Sequence, residues 1–176
     1  MGYSVDYAAA DAYLLPGFAG TTPPLPGGPL VTGIVNGMTV RGGEITVESV
    51  WDDTDIVHVL QDEIFVSNFH TETGLRLLSD TDASLVIKLA GETAGLTASG
   101  YGLDINDRIG GTVQVVGQPG YPVIVTSLKD DSVGASLDPI GLPTKDTNSD
   151  GSASTPSAGD WRSLQFLPFS NDRNVA

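Results

Sequence analysis

The segment Asp146-Thr147-Asn148-Ser149-Asp150-Gly151 sets oxygen-bearing side chains at alternate positions and closes them with a glycine. Side chains two residues apart converge once the backbone turns at such a glycine, so one short loop can curl round a hard cation. In this reading Asp146, Asn148 and Asp150 give side-chain oxygens, Ser152 a backbone carbonyl, and Gly151 the sharp turn. An EF-hand needs a bidentate acid at its twelfth position, which here is Ser157, so the loop is not an EF-hand. The missing carboxylate is expected from Asp160 or from the pair Asp130 and Asp131 folding back. Calcium is the expected ion. Asn, Asp, Ser and Gly also favour turns for conformational reasons alone, and a solvated loop without an ion is the competing reading.

Other chemistry is thinner. His58 and His70 are the only histidines, and a zinc site would need both plus a carboxylate such as Asp55, Asp62 or Glu72. Their spacing shows no compact ligand cluster, so a structural role is expected for each. No Gly-x-Ser-x-Gly elbow is present, and Gly110-Gly111 is not followed by the Gly-Lys-Ser or Gly-Lys-Thr of a phosphate loop. Acids pair at Asp52, Asp53 and Asp55, at Asp62 and Glu63, at Asp80 and Asp82, and at Asp104 and Asp107. A glycosidase would use two such acids across a cleft beside sugar-holding aromatics. Few aromatics stand near these, so solvated turns are expected and no catalytic residue is assigned. Trp51 and Trp161 are expected to pack at core edges, and Asp104 to Arg108 to form a tight turn.

Composition narrows the partners. The chain has 176 residues and a net charge of -14, from 22 acids against 8 bases. Such a balance repels phosphate backbones and anionic lipid, which disfavours nucleic-acid and membrane-surface binding and favours cations. No apolar run has membrane length, so no membrane insertion is expected. The absence of cysteine excludes disulfides and thiolate metal sites. Met1 to Ala10 lacks the basic and apolar regions of a signal peptide, so an exported protein would carry this chain as a mature form or a fragment. An acidic, Lys-poor, Cys-free and Gly-rich composition accords with an extracellular or cell-surface protein.

The elements that position these residues read as all-β. Residues 1–29 form an extended arm: Tyr3, Tyr7, Tyr13, Leu14 and Leu15 offer apolar contacts before a stretch dense in Pro and Gly. Residues 30–176 form one domain of short β-branched runs with an acidic loop at 130–160. The runs are Met38 to Val40, Glu44 to Val50, Ile56 to Leu60, Ile64 to Val66, Leu75 to Leu78, Ser84 to Leu89, Leu96 to Ala98, Thr112 to Val116 and Val123 to Leu128. Glycines recur beside them at intervals too short for Greek-key crossovers, which points to a solenoid of parallel strands, a parallel β-helix. One coil would run through Leu75, Leu85 and Leu96, the next through Ile109 to Val116 and Val123 to Leu128, with the acidic loop bulging out before Trp161 restarts a strand. A β-sandwich of immunoglobulin type is the alternative.

The ordered set Ser84 to Leu89, Ala94 to Gly100 and Gly120 to Gly134, then Asp146 to Ala153 and Gly159-Asp160-Trp161, resembles the coils of large secreted bacterial right-handed parallel β-helix proteins. The resemblance covers a little under half of the chain. It departs at the insertion Ala135 to Lys145 and at Arg162-Ser163, where similar proteins have small residues after the tryptophan. It implies a non-enzymatic, adhesive or structural bacterial surface protein, with a cell-surface or carbohydrate partner. Self-assembly into homo-oligomers or filaments would proceed through end stacking or strand addition by the arm. The alternative functions are a carbohydrate-active enzyme and a carbohydrate-binding module.

Overall fold

The computed structural model describes residues 35–68, 73–100, 111–137 and 142–171. The N-terminal arm, His70, Glu72 and the turn from Asp104 to Arg108 lie outside the described residues.

Thirteen strands and no helix make up the described chain. In order they are β1 (Met38–Val40), β2 (Gly43–Ile45), β3 (Glu48–Trp51), β4 (His58–Leu60), β5 (Glu63–Val66), β6 (Gly74–Leu78) and β7 (Val86–Leu89). Then follow β8 (Gly91–Ala98), β9 (Thr112–Val116), β10 (Ile124–Ser127), β11 (Ala135–Leu137), β12 (Pro143–Thr144) and β13 (Trp161–Phe166). No helix there is long and apolar enough to cross a membrane.

Consecutive strands take turns among three parallel sheets. The first has the order β1-β4-β7-β10, the second β2-β5-β8-β13 and the third β3-β6-β9. Antiparallel pairing among the described residues is confined to β11 with β12 and to an isolated bridge between Gln118 and Tyr121. An immunoglobulin-type sandwich requires antiparallel sheets throughout, and the described residues do not build them. The strands are short because corners interrupt them. The run from Glu44 to Val50, expected as one strand, is two: the chain turns at 46–47, leaving Ile45 buried and Val47 exposed.

Parallel register stacks like on like. Val40 pairs with Leu60, Leu60 with Leu89 and Leu89 with Ser127; Ile45 pairs with Val66, Val66 with Ala98 and Ala98 with Phe166. Such rows from all three sheets meet in one apolar cluster that includes Leu60, Ile64, Leu75, Leu77, Ile87 and Leu89, with Trp51 and Trp161 packed at its margin. Each side chain buried this fully contributes about 1.5–3 kcal/mol relative to exposure. β8 and β13 approach closely at one point. A Cβ on Gly95 would lie 2.7 Å from the Ser163 carbonyl oxygen, so glycine lets the two strands pair there without displacing backbone.

The first sheet is apolar on both faces. Period-two alternation sends Leu60, Ile87 and Leu89 inward and Val59, Val86 and Ile124 outward. Those outward residues join a second cluster with Val57, Leu128 and Ala135, against which Val35 and Val133 pack. The segment after β10 thus lies over the outer face of this sheet. It reaches the far edge, where the Asn36 amide donates to the Thr147 carbonyl at 2.7 Å.

Candidate metal centre

The pairing of β11 with β12 sets the site. Ala135 lies opposite Thr144 and Leu137 opposite Pro143, so the chain that leaves through 131–134 returns beside itself at 145–150. This brings Asp131, Asp146 and Asp150 together, each offering one carboxylate oxygen, all within 4.8 Å of one another. Oxygens on opposite sides of a calcium ion stand about 5 Å apart, given metal–oxygen distances of about 2.3–2.6 Å.

The loop holds its own curl. Asp146 accepts hydrogen bonds from the amides of Asp150, at 3.1 Å, and of Gly151, at 2.8 Å. Ser149 and Gly151 adopt left-handed φ values of 57° and 70°, a strained geometry for Ser149 that the two Asp146 bonds help to hold. The Asn148 side-chain amide donates to Asp150 Oδ2 at 2.8 Å and to Ser154 Oγ at 3.1 Å, and the Ser154 hydroxyl donates to the same Asp150 oxygen. The Asn148 amide, Asp150 Oδ2 and both Asp146 oxygens are therefore satisfied. The other oxygens, Asp131 Oδ1, Asn148 Oδ1 and Asp150 Oδ1, are buried with no hydrogen-bond partner. Buried acceptors left unpaired cost about 1–3 kcal/mol each, more where they are charged.

A lysine lies beneath. Lys88 faces outward from β7 yet has 0% exposure, and its ammonium donates to the Lys145 carbonyl at 2.7 Å. Burial pushes its pKa below the ordinary lysine value, while Asp131, Asp130 and Asp146 pull it back up. Asp131 responds in the opposite sense: burial raises its carboxyl pKa, the neighbouring Asp146, Asp150 and Asp130 add to the rise, and Lys88 opposes it. Three carboxylates against one ammonium leave two negative charges, which suits a divalent cation.

Of the remaining residues named from sequence, Asp160 and Asp130 hold other hydrogen bonds and Ser152 is exposed. Asp160 accepts from Lys129 Nζ at 2.7 Å, Ser127 Oγ at 2.8 Å and the Ser157 amide at 2.8 Å. The Lys129 contact, outweighing burial and joined by the Ser157 and Ser127 bonds, holds its carboxyl well below the usual carboxylate range. It pins the start of β13 to the turn after β10. Asp130 accepts from Thr126 Oγ1 at 2.7 Å and the Ser132 amide at 3.0 Å. Burial works against its charged form, but the Ser132 and Thr126 bonds and Lys88 prevail and lower its pKa. Ser152 is exposed in the turn beyond Gly151.

His58 has no part in this cluster. It is 2% exposed on the inward side of β4 and stacks on Trp51, ring centroids 5.6 Å apart at 14°. Lys88 is the participant that sequence reasoning missed. Its signal was a single charge inside the apolar run Leu85 to Leu89.

No family model matches the chain, and no curated protein or solved structure gives a significant match to it.

Proposed function

We propose that the chain is a β-solenoid scaffold of an extracellular structural or adhesive surface protein, in which calcium fastens the acidic excursion over the outer face of the first sheet. The strand order supports the solenoid: each strand pairs with one three elements earlier or later, in parallel, until the excursion intervenes. The observation that carries the ion is the convergence of Asp131, Asp146 and Asp150 beside three buried oxygens without partners. The ion would complete those acceptors and offset the burial and carboxylate repulsion that raise the Asp131 pKa. Its role is architectural. It joins two stretches of one excursion rather than two moving bodies, as suits the weak sites of extracellular modules, whose dissociation constants run from about 10⁻⁴ to 10⁻³ M.

Thermal melting in calcium, in magnesium and in chelator tests this reading. A ligand at about 100 times its dissociation constant adds about 2.7 kcal/mol to the native state. For a chain of this size that amounts to about 5–10 °C in Tm. Equal melting temperatures in calcium and chelator would remove the ion from the proposal; a shift with magnesium alone would change its identity.

A second reading is a carbohydrate-binding or carbohydrate-active flank. It is favoured by an open groove of about 600 Å³ on the second sheet, bordered by Gly42, Asp62, Phe65, Glu92 and Arg162. Glu63 at its rim already accepts bonds from Thr97 and Arg162, which favours binding over catalysis. Glycan-array binding lost in Phe65→Ala would support this flank, and polysaccharide turnover would make it an enzyme.

A further inference from the structure

We infer that two copies of the chain pair through the end of the strand stack made by β9, β10 and β13, apolar end against apolar end, as a two-fold dimer. At this end the core rows run out into solvent. Phe166 continues the row Ile45, Val66, Ala98 and is 56% exposed; Val115 continues the row Trp51, Leu77 and is also 56% exposed. Val113, Val115, Val125, Leu164 and Phe166 border one apolar crevice of about 20 Å³, so the three sheets end together around it. Leu167 and Phe169 extend the exposed apolar surface beyond β13. A continuous patch of this kind marks an interaction surface, and free strand edges are templates for pairing.

Charge selects the occupant. The chain carries a net charge of -14, so two copies repel over most of their surface. Thr112 to Leu128 contains no charged residue, and neither does Ser163 to Asn171. The one charged residue in β9, β10 and β13 is Arg162, which Glu63 holds, and at the corner between β10 and β13 Lys129 pairs with Asp160. Two like-charged chains can approach at this end without opposing their acids. The other end is different: Val40 and Ile45 are already buried there, and 41–55 carries Arg41, Glu44, Glu48, Asp52, Asp53 and Asp55. Head-to-tail stacking would set the open apolar end on a closed, acid-bearing one. Pairing like ends covers two apolar surfaces at once and closes at two copies, as an isologous contact must.

The edges support the same arrangement. Val113 donates its amide to Asn171 Oδ1 at 2.7 Å, and the Asn171 amide donates to the Gly111 carbonyl at 3.1 Å, so the β9 edge is partly covered. β13, six residues long, has no strand on its far side among the described residues. Across a two-fold axis it would meet its counterpart antiparallel.

This inference rests on the solenoid reading proposed above and not on the cation. Sedimentation velocity of the full chain, in calcium and in chelator, should show 18.2 kDa giving way to twice that mass with rising concentration, and nothing larger. Phe166→Asp and Val115→Asp should each weaken the dimer about tenfold or more, equal to about 1.4 kcal/mol. Val47→Asp, on an exposed corner near the opposite end, should leave it unchanged. Melting curves of each variant separate lost pairing from lost folding. A chain that stays monomeric at every concentration overturns the dimer, as does growth past two copies that Val47→Asp blocks. Amide exchange separates the two ideas: protected β5, β7 and β8 in such a monomer leave the solenoid standing, and unprotected strands sink both.

Discussion

Lys88 and Lys145 are joined by a hydrogen bond of 2.7 Å from the ammonium of one to the backbone carbonyl of the other, linking the outer face of β7 to the chain just ahead of Asp146. A fully buried lysine gains little from a single carbonyl, since burial penalises its charge by several kcal/mol. The carboxylates above it repay part of that penalty. Lys88 thus sets a buried amine against the carboxylates of the site.

Replacing Lys88 by Met keeps the length of the stem and removes the charge. In chelator, Lys88→Met should lower Tm, because the carboxylates lose their counter-charge. Calcium affinity should rise about tenfold or more, since the ion then meets a more negative site, a change of about 1.4 kcal/mol. Isothermal titration beside melting curves reads both numbers, and an unchanged affinity would show that Lys88 does not sense the ion.

Asp131→Asn should reverse sign with the ion. The folded-state pKa of Asp131 is raised, so the native state holds its proton more tightly than the unfolded chain does. Its contribution is therefore full below the unfolded pKa and is lost as pH rises through the folded one. At neutral pH in chelator the variant should match or exceed the wild type in stability. In calcium it should fall below it by about 1–3 kcal/mol, the cost of losing one charged ligand. Urea titrations at neutral pH, with and without calcium, check the crossing.

His58 predicts an acid-sensitive core. Burial lowers its pKa from 6.5, against the pull of Asp53, the Ile56 backbone, Asp52 and Asp55. The unfolded chain then takes up a proton that the native state resists, so stability falls as pH drops below about 6.5. His58→Phe keeps a ring against Trp51 and removes the titration. Its stability should be flatter than the wild type's between about pH 6.5 and 5, as measured by denaturation midpoints. An identical slope in both proteins would assign the acid sensitivity elsewhere.

Gly95→Ala tests the contact between β8 and β13. The added methyl group would meet the Ser163 carbonyl at 2.7 Å, and backbone rather than a flexible side chain must give way. A loss of about 1–3 kcal/mol is expected, as for other overpacked sites. Faster amide exchange confined to β13 and its neighbour would locate the damage.

Much of the strand pattern was legible because it is local. Met38 to Val40 and Thr112 to Val116 are strands with the bounds their β-branched runs suggest. The corner that splits Glu44 to Val50 was not, since Thr46 and Val47 have strand-forming side chains and nothing local marks the break between a buried Ile45 and an exposed Val47. At the site, alternation within Asp146 to Asp150 drew attention to three residues at once. Asp131 could be named only beside Asp130 and Asp160, because hydrogen bonds to Thr126, Ser132 and Lys129, none visible in spacing, engage those two and leave Asp131 Oδ1 unpaired. Lys88 stayed hidden for a related reason. Whether an outward residue of β7 meets water or a covering segment depends on where 128–147 lies, and that is a long-range outcome.

The hydrogen bond from Asn36 to Thr147 gives the excursion the properties of a ruler. It leaves from β10 and is fastened beside β1, the two outermost strands of a four-strand sheet. Three inter-strand gaps of about 4.8 Å separate those strands, a span of about 14 Å. A duplicated coil would widen the span by one gap and pull Thr147 from Asn36; a deleted coil would leave slack and spread the carboxylates. In the proposed solenoid, this strap between the outermost strands would hold the number of coils fixed.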